Sequence, residues 1–127
     1  MTGPRVLVCG SRHGVDDALL SRVLNEIAPS VVIEGGARGV DAQAARWARR
    51  HGVGVQEYKA DWHRYGRAAG PERNARMLAC SAPELVLAFP GPESRGTWDM
   101  VRRARAAGVT VRVVESVQEA RQVGRAG

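Results

Sequence analysis

Apolar positions along this chain follow two rhythms. Short unbroken runs, Val6-Leu7-Val8, Val31-Val32-Ile33 and Leu85-Val86-Leu87-Ala88-Phe89, read as strands buried on both faces. Longer stretches repeat apolar residues at helical spacing, as Leu19, Leu20, Val23, Leu24 and Ile27 do. The pattern predicts strands over Arg5–Cys9, Val31–Glu34, Val53–Tyr58, Glu84–Phe89 and Thr110–Val114. It predicts helices over Asp16–Ile27, Val40–His51, Glu72–Ser81 and Thr97–Ala107, and a short last one over Ser116–Val123. Asp16 or Asp17 caps the first helix, Pro29 ends it, and Gly52 and Gly108 stop the second and fourth. In the second helix Ala44, Ala45, Trp47 and Ala48 form the inner face. Ser116 with Glu119 matches a capping box, and Gly124–Gly127 are expected to fray. Lys59 to Pro71 reads as a polar and aromatic loop.

Strands alternate with helices throughout. This predicts an α/β, Rossmann-like three-layer sandwich: a parallel sheet of about five strands with helices on both faces and right-handed crossovers. Ligands of such sheets lie at the carboxyl ends of the strands. No linker or repeat interrupts the 127 residues, so a single domain, 1–127, is expected.

Composition adds exclusions. The chain is 44% apolar and 25% charged, as in ordinary globular domains. No run approaches the ~20 apolar residues of a membrane helix, so no membrane partner is expected. A strand begins at Arg5, so no signal peptide is expected, and the location is expected to be cytoplasmic. Cys9 and Cys80 sit in apolar segments and read as reduced, buried packing residues. Neither has metal-type spacing, and no metal or cofactor is expected. The net charge is +6, and only one of 19 basic residues is lysine. From Arg38 to Arg76 nine basic residues face four acidic ones. That segment is either a solvated basic face or an attractor of anions.

The candidate chemistry lies in three glycine-rich turns, each after an apolar run. The first is Gly10-Ser11-Arg12, the second Gly35-Gly36-Ala37-Arg38-Gly39, the third Pro90-Gly91 through Arg95-Gly96-Thr97. Glycine lets backbone approach a ligand, and a following helix start offers free N–H groups and the positive end of its dipole. The predicted ligand contacts are these residues with Phe89, Asp41, Asp61, Trp62, Arg73 and Asn74. Arg12, Arg38 and Arg73 supply charge, and phosphate is expected on the amides of Gly35–Gly39 and Gly91–Thr97. Thr97 reads as an N-cap whose hydroxyl could instead serve a phosphate. Asp41 either complements its helix start or accepts from a ribose. Trp62 either packs onto the core or, with Asp61, meets a nucleobase. There is no G-x-G-x-x-G fingerprint and no P-loop.

Jointly, several segments resemble the SLOG superfamily, which includes LOG enzymes and the DNA-processing Smf proteins, and most closely its YspA-type, YpsA-related branch. The carriers are Gly10-Ser11-Arg12, Gly35-Gly36-Ala37-Arg38-Gly39-Val40-Asp41, Ala60-Asp61-Trp62 with Tyr65-Gly66, Ala69-Gly70-Pro71-x-Arg73-Asn74-x-x-Met77, and Ala88-Phe89-Pro90-Gly91 with Gly96-Thr97-x-x-Met100. The resemblance implies a Rossmann-like fold binding a nucleotide or nucleotide-derived ligand, and in several members a dimer. Alanine-rich helix faces would permit a homodimer here. The LOG pattern P-G-G-x-G-T-x-x-E places its glutamate where this chain has Met100. Asp99, one residue away, is rotated by ~100° on a helix and does not inherit that role.

Three functional readings follow. The first is a protein that binds a nucleotide or an ADP-ribose-like ligand as sensor, carrier or sequestering protein. The second is a nucleotide N-glycosidic hydrolase that uses Asp41 or Asp61 as its catalytic acid or base. The third is a single-stranded nucleic-acid binder, suggested by the basic segment and the Smf kinship.

Overall fold

The computed structural model describes residues 2–115. The helix expected over Ser116–Val123 and the tail Gly124–Gly127 lie outside these residues. Chain order runs β1 (Arg5–Gly10), α1 (Asp17–Ile27), β2 (Val31–Glu34), α2 (Val40–Arg50), β3 (Gly54–Glu57), α3 (Trp62–Tyr65), a 3-10 turn (Gly66–Ala68), α4 (Ala69–Ser81), β4 (Leu85–Phe89), α5 (Arg95–Ala106) and β5 (Thr110–Val113).

The five strands pair in parallel in the order β3-β2-β1-β4-β5. Strand alternation sorts the core. Val6, Val8, Leu87 and Phe89 face α1 and α2, where Leu20, Leu24, Ala44 and Trp47 meet them. Leu7, Cys9, Val86 and Ala88 face α4 and α5, against Met77, Met100 and Ala104. β1 and β4 therefore carry apolar side chains on both faces, which is why their sequences do not alternate with polar residues. The connection from β3 to β4 passes to the other face and past β2 and β1. The order reverses between β1 and β4, and that switch point is where the carboxyl-end crevice opens. Among the described residues no helix is long and apolar enough to cross a membrane.

Several element ends differ from expectation. Within the expected loop 59–71 lie α3, the 3-10 turn and the start of α4. Pro71 is the third residue of α4, where its missing N–H would have had no partner within the helix, so the helix starts at Ala69. α5 begins at Arg95 after Ser94, so Thr97 is not the N-cap but a buried residue one position short of the first full turn. Asp16 precedes α1 without a side-chain capping bond. Gln43 of α2 holds that turn instead: its Oε1 accepts from Val15 N (3.0 Å), and its Nε2 donates to Val15 O and Asp17 Oδ1 (both 2.7 Å). Cys9 is buried, and burial pushes its thiol well above the usual range. Cys80 is exposed, contrary to expectation. The face of α4 that buries Met77 and Ser81, four residues apart, leaves Cys80 outside.

Candidate functional site

Ser11 joins the three glycine turns. Its N–H donates to Phe89 O (3.0 Å), and its carbonyl accepts from Gly14 N (3.1 Å) and from Val40 N (3.0 Å) at the start of α2. Its hydroxyl accepts from His13 N (3.1 Å). The glycines permit this closeness. A Cβ on Gly91 would stand 2.7 Å from Ser11 Oγ, and one on Gly10 2.5 Å from Phe89 O. Gly39 adopts φ +77° directly against the Ser11 carbonyl. The first, second and third turns thus meet at the carboxyl edge of β1, β2 and β4.

The second turn spends three of its five amides internally. Asp41 Oδ2 accepts from Gly35 N (3.0 Å) and Ala37 N (3.3 Å), and Glu34 Oε1 accepts from Gly36 N (2.6 Å). The expectation of phosphate on the Gly35–Gly39 amides is therefore narrowed: carboxylates of the chain already occupy three of the five, those of Gly35, Gly36 and Ala37. Asp41 is buried, and burial raises its pKa to about 6 against the lowering effect of those amides and of Arg73. Through Oδ2 it shapes the turn.

Arg73 and Asn74 also act inward. Arg73 Nη1 donates to Gly35 O and its Nε to Asn74 Oδ1 (3.0 Å). Asn74 Nδ2 donates to Gly96 O and to Asp99 Oδ2, both at 3.0 Å. Asp99 in turn accepts from Arg103 Nε (2.9 Å). This chain of bonds ties β2, α4 and α5 together, and Asp99 belongs to it. Met100 is fully buried in the core. Phe89 is fully buried too, so only its carbonyl reaches the turn junction, where Ser11 N takes it.

In the third turn, Gly91 N donates to Ser94 Oγ (2.8 Å) and Arg95 N to Glu93 O (2.9 Å). The amides of Gly96 and Thr97, in the first turn of α5, have no hydrogen-bond partner among the described residues. A Cβ on Gly96 would meet nothing within 4 Å. Arg12, Arg38 and Arg95 are exposed around the same edge. The donors left for an anion thus include the amides of Arg38 and Gly39, the start of α5 and these guanidinium groups.

Asp61 caps α3, accepting from Arg64 N at 3.0 Å, in an exposed position. Trp62 does not plug the core: it is 52% exposed, with its ring edge against Gly70. Tyr65 is 37% exposed, and the Arg64 guanidinium lies 5.1 Å from its ring centre.

One buried acid escaped the sequence reading. Glu34 is 1% exposed, and its Oε2 has no hydrogen-bond donor among the described residues. Burial, with Asp41 and Glu57 nearby, pushes its pKa up to about 7, although Gly36 N–H opposes the shift. It stands as the only charged residue of the run Val31–Glu34, and a charge closing an otherwise apolar strand was the available signal. Glu34 lines a cavity of about 210 Å³ with Glu57, Arg46 and Arg49. A larger hollow, about 390 Å³, lies at the opposite edge beside Ala28 and His51, the C-caps of α1 and α2. Helix carbonyl ends face it and no arginine or lysine lines it, so nothing there offsets the repulsion of an anion.

Residues 4–65 match the model of the YspA, cpYpsA-related SLOG family. Gene 61 protein of Mycobacterium phage D29 is 40% identical over an alignment of 117 positions that covers 84% of this chain and 93% of that protein. The fold is similar to a solved structure of DNA processing protein A (DprA) from Streptococcus pneumoniae, with a TM-score of 0.64 at 20% identity. That match covers 88% of this chain and half of the DprA chain. With its three turns gathered on Ser11 and its sheet order, the chain belongs to the YspA, cpYpsA-related SLOG family.

Proposed function

We propose that this protein binds a nucleotide or a nucleotide-derived, ADP-ribose-like ligand at the carboxyl edge of its sheet, as a sensor, carrier or sequestering protein. SLOG membership suggests a nucleotide-related ligand. The observation that carries the reading is the pair of unpartnered amides, Gly96 and Thr97, opening a 12-residue helix at the switch point. A phosphate there would gain two N–H donors and the positive end of the α5 dipole. Arg12, Arg38 and Arg95 would add charge-assisted bonds. The hydrolytic reading has less behind it, because Asp41 Oδ2 already accepts from two amides of the second turn and Asp61 Oδ1 from the amide of Arg64.

The test is equilibrium dialysis against mononucleotides, NAD, ADP-ribose and cyclic ADP-ribose, with chromatography of both compartments. One intact compound should be held back with the protein. Gly96→Glu should keep the fold, since its site is open and an acid suits a helix start. It should weaken that retention at least about ten-fold by placing a carboxylate at the anion position. Retention of no compound, or equal retention by the variant, refutes the reading. A free base in the dialysate restores the hydrolase.

A second reading has one observation of its own. Trp62 and Tyr65 are exposed beside Arg64 and Arg67, the combination of stacking faces and cations that single-stranded nucleic acid uses. Its steeper salt dependence separates it from the first reading.

A further inference from the structure

The cavity between α2 and β3 has two kinds of wall. Glu34 closes it from β2, and Glu57 stands opposite in the parallel register of β2 and β3. Arg46 and Arg49, one helical turn apart on α2, line it from the other side. Both arginines are exposed, and neither makes an ion pair with another described residue. Glu34 uses one oxygen on Gly36 N and leaves the other buried with no donor among the described residues, beside the carboxylate of Glu57, which itself pairs with Lys59 at 3.7 Å. An orphaned buried acceptor is costly unless something donates to it. A metal ion is a poor occupant: two carboxylates are too few ligands, and two guanidinium groups repel it. The occupant must instead carry O–H or N–H donors at one end and an anion at the other. At about 210 Å³ the cavity is smaller than the ~300–1,000 Å³ that encloses a whole drug-sized ligand, so it takes a fragment of one.

We propose that this cavity receives a phosphorylated pentose, with Glu34 and Glu57 accepting from its adjacent hydroxyls and Arg46 and Arg49 holding the phosphate. Two acids side by side match a cis-diol, and planar guanidinium forks match phosphate oxygens. The proposal rests on the nucleotide reading for the class of ligand alone: α2 and α5 cover opposite faces of the sheet, so the phosphate held by Arg46 and Arg49 is not the one placed at the start of α5. With a pKa of about 7 the Glu34 carboxyl is part protonated at neutral pH, and a hydroxyl donating to it favours the ionised form.

The test is amide NMR of the whole protein titrated with ribose 5-phosphate, 2-deoxyribose 5-phosphate, adenine and AMP. Ribose 5-phosphate should move the amides of Gly36 and Ala37, and the deoxy sugar should bind about ten-fold more weakly. Glu34→Gln, nearly isosteric, should lose a similar factor while keeping a dispersed spectrum. Arg46→Ala with Arg49→Ala should bind ribose 5-phosphate poorly. The proposal is overturned if ribose 5-phosphate leaves Gly36 and Ala37 unmoved, if Glu34→Gln binds it equally well, or if adenine alone moves those amides. AMP shifting Gly96 and Thr97 without discrimination at Glu34 would sink this inference and spare the nucleotide reading. Ribose 5-phosphate titrating the cavity while AMP spares Gly96 and Thr97 would do the reverse.

Discussion

Glu34 and Asp41 have folded pKa values of about 7 and about 6, above their ordinary 4.5 and 3.8. The folded state therefore holds these protons more tightly than the unfolded chain. Their contribution to stability is full below about pH 4 and is lost as pH rises through about 6 to 7. Glu34→Gln stays neutral at every pH. At pH 8 it should be more stable than the parent protein by on the order of 2 kcal/mol, and near pH 4 it should be nearly equal. Urea unfolding at the two pH values measures this, and identical pH slopes for both proteins would refute the burial account. Asp41→Asn should behave differently. It leaves an amide nitrogen or a weaker acceptor facing Gly35 N and Ala37 N, so it should destabilise the fold by about 1–3 kcal/mol at pH 7.

At the scale of elements, the turns differ in what their glycines do, although they look alike in sequence. Gly39 is required: a side chain there would meet the Ser11 carbonyl, and its φ of +77° is strained for other residues. Gly96 is not required, since it sits in a helix with open space about it. Gly39→Ala should cost at least about 2 kcal/mol. Gly96→Ala should be neutral or stabilising by up to about 1 kcal/mol. Thermal unfolding of the two variants compares them, and equal shifts would contradict the assignment. The run of glycines was legible at this scale, but its hydrogen-bond destinations were not. Whether an amide serves Asp41 or a ligand depends on the direction in which α2 leaves the turn. The start of α4 was likewise hidden, because proline reads as a break although it is harmless in a first helical turn.

Across the whole molecule, a net charge of +6 attracts anionic ligands of any size, so affinity alone does not distinguish a nucleotide from a strand. The number of phosphates engaged does. A pocket at the start of α5 should give a shallow fall of log affinity with log salt, of slope about −1 or −2 for one or two phosphates. An oligonucleotide lying along Arg64, Arg67 and the exposed Trp62 should show a slope steeper than about −3 and quenching of tryptophan fluorescence. Titrations of AMP and of a dT oligomer at several salt concentrations decide between them. Tight, steeply salt-dependent binding of the oligomer with none of AMP would put the nucleic-acid reading first.

The alternation of apolar runs and helical spacing was enough to specify a parallel sheet, its helices and the edge on which a ligand would lie. These follow from local periodicity and from the need to cover both faces of buried strands. The sequence also marked the turns, because only glycine tolerates the approaches seen at Gly39 and Gly91. It could not assign Arg73, Asn74 and Asp41 to inward bonds, nor reveal the orphaned oxygen of Glu34. Those roles depend on residues far apart in the chain, such as Arg73 against Gly35 and Asn74 against Gly96, that come together only when the sheet closes. Hydrogen-bonding groups are alike in sequence whether they face the protein or a ligand, and the fold decides which partner each one meets.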